Sequence, residues 1–212
     1  ELENAFQRYY NSEGAADRKE KKAFHLKGTP LVKGNVGIIQ AQIPLDQLKK
    51  LAKTNNATIT EYLTAVLNYV FLHSSVPNSL NEVVKISVPV NLRKYFPSQT
   101  LRNFSFFFNM AIPFSEKDSS FERILAETIS QFKEMNQKDI LLKRFSMNVL
   151  SERNAFLRIA PLDLKHFAMK KTFEVVGDDL FTCGFSNLGP FILPVSMSKY
   201  IERFDFVLST SA

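Results

Sequence analysis

Residues 83–114 read VVKISVPVNLRKYFPSQTLRNFSFFFNMAIPF, two apolar runs on either side of a polar stretch that carries Asn91, Arg93, Arg102 and Asn103. Both runs are rich in β-branched and aromatic residues, which predicts strands over Val83–Val90 and Phe104–Pro113. Between them Pro97, Ser98 and Gln99 favour a turn or loop, and chemistry is expected to gather there. A run such as FSFFFNM leaves no polar face for water, which predicts burial on both faces under covering layers. On that expectation Phe107 is fully buried, and Phe107→Ala costs roughly 3 to 5 kcal/mol.

Working outward, DDLFTCGFSNLGPF predicts a strand over Leu180–Phe185 that ends in the polar turn Ser186, Asn187, Leu188, Gly189 and Pro190. IERFDFVLSTSA predicts another strand over Phe204–Leu208, and NVGIIQAQIP predicts a short one from Asn35 to Pro44. Leu45, Leu48, Leu51 and Ala52 then recur at helical spacing. A second helix continues from Ala57 to Ser74, where Thr58 or Thr60 caps the first turn, with Ile59, Leu63, Val66, Leu67, Val70 and Phe71 on one deeply buried face. Ser119 and Ser120 offer a serine cap to an amphipathic helix from Phe121 to Gln137. Helical periodicity persists from Asp139 to Pro161, and a shorter helix follows from Leu162 to Lys171. The order of elements argues for an α+β fold, a two-layer α/β sandwich with a mixed β-sheet covered by helices at Ile59–Leu72 and Phe121–Gln137.

With 212 residues, 45% of them hydrophobic, the chain is long enough for one sizeable core. Twenty Phe and no Trp concentrate aromatic surface in two clusters, Phe104–Phe108 and Phe181–Phe191, both expected inside. Residues 1–33 are polar and charged and are read as a linker or wrapping arm, with residues 34–212 as the domain. The formal charge of +6 is spread along the chain, with Arg18, Lys19, Lys21 and Lys22 as its main run. That is a solvated basic surface. The aromatics are not interleaved with cations, so no stacking platform for nucleic acid is evident. No stretch approaches the roughly 18 consecutive apolar residues of a membrane helix, and ELENAFQRYY lacks the order of a secretory signal. The single cysteine, Cys183, cannot form an internal disulfide and reads as a small buried residue, which fits the cytoplasm. The first residue is not Met and the text opens like the middle of a longer protein, so an upstream partner is expected.

The three histidines, His25, His73 and His166, have no carboxylate or second His at a spacing that makes a metal site or local acid–base pair. Gly34 and Gly37 lack the later glycine or Lys of a phosphate loop. Two polar spots survive. The first is Asn91 with Arg93 at a strand end, where an amide and a guanidinium suit carbonyls or an anion. Arg93 is expected to turn back onto carbonyls of the PSQT loop with its fork of donors; the blander reading is an Arg that only fixes a loop. The second is Ser186, Asn187 and Gly189 at another strand end, a cleft-facing turn or a plain one. Ser209, Thr210 and Ser211 are three hydroxyls at a terminus and carry little.

KISVPVNLRKYFPSQTLRNFSFFFNMAIP, preceded by ATITEYLTAVL and followed by FSNLGPFILP, resembles the C-terminal half of bacterial alcohol-acetyltransferase-like proteins of the chloramphenicol acetyltransferase and condensation-domain superfamily. The match covers most of residues 35–212, and VPVNLRKYFPSQTLRNF is its most specific piece. The resemblance implies one half of a chloramphenicol-acetyltransferase-like fold, in which two similar halves enclose a channel. It implies transfer of an acyl, in particular acetyl, group to a small alcohol or amine from a coenzyme A or carrier-protein thioester, a co-substrate and not a tightly bound cofactor. The family's general base is a His in a His-His-x-x-x-Asp motif on the first half. Here HLKGT, HSSVP and HFAMK all lack the paired His and the Asp. The resemblance thus places the catalytic His in an upstream N-terminal half-domain, and leaves this segment as one channel wall that binds through Asn91, Arg93, Ser186, Asn187 and Gly189. A competing reading is a non-catalytic binding or assembly module derived from an acyltransferase half. A third, a binder of acidic partners or nucleic acid, rests on charge alone.

Overall fold

β1 (Val83–Asn91) and β2 (Ser105–Pro113) form an antiparallel pair whose register runs from Val83 opposite Pro113 to Asn91 opposite Ser105. The computed structural model describes residues 3–12, 21–29, 31–32, 35–74, 82–114, 119–153, 159–172, 180–203 and 205–206. On the far side of β1 lies β3 (Cys183–Gly184), parallel to it, so the described sheet is mixed and ordered β2-β1-β3. Ala23 adds a parallel bridge to Val83 on β1. The fold is of the α+β class.

Bonds on this far side come from alternate residues of β1. Thr182 N donates to Lys85 O and Phe185 N to Ser87 O, each at 2.8 Å. Lys85 N donates to the Thr182 hydroxyl at 3.0 Å, a side chain standing in for a ladder carbonyl. The next residue in the series is Pro89, which has no N–H to donate, and among the described residues the parallel pairing goes no further. β3 therefore occupies two residues of the expected Leu180–Phe185, and β2 opens at Ser105, one residue after the expected start.

Val84, Ile86 and Val88 of β1 face Phe108 and Met110 of β2, with Phe24, Phe132 and Met135 closing the cluster. Burial on both faces, as expected for the two Phe clusters, is not what the structure shows. β2 is an edge strand covered on one face, so Phe108 is enclosed while Phe107 is 49% exposed. Phe181 and Phe191 are exposed as well. With half its surface already in water, Phe107 loses about 1 kcal/mol on truncation, not the 3 to 5 of a buried ring.

α2 (Leu45–Thr54) leads to α3 (Ile59–Ser74), whose start is a capping box. Glu61 N donates to the Thr58 hydroxyl at 3.2 Å, and Thr58 N donates to the Glu61 carboxylate at 2.7 Å. Thr58 is thus the cap, and Thr60 is left for other work. The buried residues of α3 are Thr64, Ala65 and Asn68, not the expected stripe, whose Val70 is exposed and whose other members are half-buried. The reason is packing distance. Small side chains let α3 approach α4 (Phe121–Met135), where Ile124, Leu125 and Thr128 are buried. Leu67 and Phe71 of the stripe pack against the sheet cluster from the side, while Val70 is left in water.

Ser120 caps α4 through Arg123 N at 3.4 Å. α5 (Lys138–Arg153) fills the first part of the run expected to be helical as far as Pro161; residues 154–158 lie outside the described set, and Ile159 is again helical. α6 (Leu162–Thr172) and α7 (Val195–Ser198) follow. α1 (Ala5–Tyr9) brings Ala5 into a second cluster with Leu92, Phe96, Phe104, Leu141, Phe145 and Val149. The expected strand in NVGIIQAQIP is absent: residues 35–44 up to α2 are non-regular, and Ile39 is 99% exposed. β-propensity becomes a strand only beside a sheet edge, and no described strand pairs with this segment. Of the expected strand Phe204–Leu208, Asp205 and Phe206 are described and lie in no strand; the rest falls outside the described residues. Among the described residues no helix is long and apolar enough to cross a membrane.

Candidate functional site at the strand ends

β1 ends in a polar residue that immediately turns the chain. Asn91 Oδ1 accepts from Arg93 N at 3.1 Å and caps the single 3₁₀ turn Leu92–Lys94. Leu92 and Phe96 anchor that turn in the second cluster, which leaves Arg93 half-buried beside the following loop. Arg93 Nη2 donates to Thr100 O and to Arg102 O, each at 2.8 Å. The guanidinium turns back onto loop carbonyls as expected, but one nitrogen serves both, so the fork of donors is not what the site uses.

The loop is held from its other side by a segment that composition had marked as linker or arm. Ser98 Oγ donates to Glu3 Oε2 at 2.8 Å, and Gln99 N donates to the same oxygen at 3.2 Å. Thr100 Oγ1 donates to Glu3 O at 2.8 Å, and the Tyr9 hydroxyl donates to Pro97 O at 2.6 Å. The Arg8 guanidinium, and after it the Ser98 hydroxyl, hold the Glu3 carboxyl below the usual carboxylate range. Glu3 and Tyr9 were missed by sequence reasoning. The signal that could have found Tyr9 is the aromatic grouping Phe6, Tyr9 and Tyr10, which the polar average of residues 1–33 concealed.

The second spot forms a closed local turn. Asn187 Oδ1 accepts from Gly189 N at 2.9 Å, and Gly189 adopts φ +74°, a left-handed conformation that suits glycine. Asn187 Nδ2 donates to Thr60 Oγ1 at 3.1 Å, which ties the turn to the first turn of α3. Because β3 runs parallel to β1, this turn and Asn91 leave the sheet at the same end. Among the described residues no hydrogen bond joins the two spots, and Ser186 is exposed. Just before the turn, burial pushes the Cys183 thiol up, which makes it a poor nucleophile.

Other chemistry is sparse. His25 and His166 are exposed, and His73 Nδ1 lies 2.8 Å from Tyr69 O one helical turn away. Among the described residues no group of three or more His, Cys, Asp or Glu could hold a metal. A groove of about 370 Å³ runs along the β2 edge between Lys85, Asn109, Glu127, Gln131, Glu134 and Arg144. Sequence reasoning did not single it out, because these charges come from three separate elements, β1, α4 and α5. What the strand-end site offers chemically is carbonyls, amides, hydroxyls, one fixed guanidinium and the hydrogen-bonded Glu3 carboxylate, a set suited to positioning ligands. No protein-family model matches the chain, and no curated protein matches it.

Proposed function

We propose that the chain is the C-terminal half of an acyltransferase, moving an acyl group from a coenzyme A or carrier-protein thioester to a hydroxyl or amine. The observation that carries the reading is uncovered surface. Among the described residues Leu188 is 68% exposed, Phe191 71% and Ile192 84%. Large apolar side chains contribute beside the turn that follows β3 and on the two helices before β1, among them Leu188, Phe191, Leu51 and Val70. A half-domain that meets a second half across a channel leaves such a surface. The sequence resemblance supplies the chemistry.

On this reading Asn91, Arg93 and the loop 97–102 form part of the channel mouth, with Ser186, Asn187 and Gly189 beside them. An upstream His removes the proton from the acceptor. The freed oxygen or nitrogen attacks the thioester carbonyl, the new C–O or C–N bond forms, the C–S bond breaks, and the thiol leaves with a proton. Among the described residues of the strand-end site there is no histidine, so residues 1–212 alone are expected to be inactive.

The test joins this half to the sequence that precedes Glu1 in its gene. A His-His-x-x-x-Asp motif within roughly 150 to 200 residues upstream, about one half-domain, and acetyl-coenzyme A turnover by the joined protein are expected. Turnover by residues 1–212 that survives mutation of His25, His73 and His166 overturns the mechanism. An upstream sequence without the motif sinks the enzyme and leaves a binding or assembly module.

A further inference from the structure

The loop 97–102 is gripped between two parts of the chain that are far apart in sequence. From below, Arg93 holds the carbonyls of Thr100 and Arg102. From above, Glu3 and Tyr9 bond Pro97 O, Ser98 Oγ, Gln99 N and Thr100 Oγ1, while the amides of Thr100 and Arg102 donate within the loop to Ser98 Oγ and Thr100 Oγ1. The grip has an apolar base, since Phe6 packs edge-on against Phe104 at 4.9 Å and Tyr9 lies 5.2 Å from Phe96. These rings flank the loop on both sides in sequence. Thr100 is bonded by both partners at once, its carbonyl by Arg93 and its hydroxyl to Glu3 O.

We propose that residues 3–10 act as a strap that sets the position of the loop 97–102, with Glu3 as the positioning residue. This rests on the proposed function in one respect: there the loop borders the channel. The strap thus fixes the shape of the channel mouth beside Arg93.

Amide hydrogen exchange on residues 1–212 at neutral pH tests the strap directly. Glu3→Ala removes the acceptor for Ser98 and Gln99, and exchange at Gln99, Thr100 and Arg102 should speed by about tenfold or more. Ile86 and Met110 in the sheet should not change. Glu3→Gln keeps a side-chain oxygen for Ser98 and Gln99 and should restore protection to within about twofold of the native chain. Equal acceleration in loop and sheet, or none in the loop, overturns the proposal. Should Glu3→Ala not fold, Tyr9→Phe deletes only the hydroxyl on Pro97 O and is read by the same amides. In the joined protein Glu3→Ala is expected to raise KM with kcat kept. A loosened loop in a joined protein without acyl transfer sinks the enzyme reading and leaves the strap standing.

Discussion

The side-chain amide of Gln131 pairs with the main chain of Ala111 as a neighbouring strand would: Nε2 donates to Ala111 O at 2.9 Å and Oε1 accepts from Ala111 N at 3.0 Å. β2 is the free edge of the described sheet, and α4 blunts it with one residue. Gln131→Glu replaces the donor with an oxygen facing a carbonyl, and sets a second carboxylate beside Glu127, which now accepts from Gln131 at 2.8 Å. We predict a loss of about 1 to 2 kcal/mol. Urea unfolding measures it; an unchanged midpoint would mean that the pair contributes nothing.

Arg93 makes a graded prediction. Arg93→Ala removes both carbonyl bonds and should cost about 1 to 3 kcal/mol, since both involve a charged donor. Arg93→Lys offers one nitrogen on a shorter reach, keeps one bond, and should fall between native and Ala in melting temperature. In the joined enzyme, activity is expected to follow the same order. A Lys variant as impaired as Ala would show that the planar group matters beyond its hydrogen bonds.

Asn68 and Thr64 are fully enclosed on α3, and among the described residues neither the amide of Asn68 nor the Thr64 hydroxyl has a hydrogen-bond partner. An enclosed amide without partners destabilises the fold, and a Leu of similar size does not. Asn68→Leu should therefore raise stability by about 1 to 2 kcal/mol, a few degrees in Tm for a chain of this length. A lower Tm would show that a buried water satisfies the amide.

Gly189 has φ +74° and open space where a Cβ would sit, so the cost of a side chain there is conformational and not steric. Gly189→Ala should lose about 1 kcal/mol and weaken the Asn187–Thr60 contact. NMR shifts at Thr60 follow that contact, and unchanged shifts with full stability would contradict the account.

The pH dependence of the strap follows from the depressed Glu3 carboxyl. Its folded pKa lies below the unfolded one, so its stabilisation is complete above the unfolded value and is lost as pH falls through the folded value. The Arg8 pairing disappears with it. Comparing melting of the native chain with Glu3→Gln from neutral to strongly acidic pH should show a native advantage that vanishes on acidification. An advantage that grows at low pH would reverse the sign and refute the assignment.

The sequence by itself determined the local structure: β1 and β2 in VVKISVPVN and SFFFNMAIP, the serine start of α4, the turn at Asn187–Gly189, and the return of Arg93 onto its loop. Each depends on bonds and torsions between residues close in the chain, and residue type dictates these. Tertiary structure alone decided which sides were covered. It buried Thr64, Ala65 and Asn68 where the apolar stripe predicted Leu63 and Val70, left Phe107 half in water, and denied Asn35–Pro44 a sheet edge. It also brought Glu3 to Ser98, a pairing 95 residues apart in sequence. Burial is a property of a residue and its neighbour together, and no local pattern states who the neighbour is.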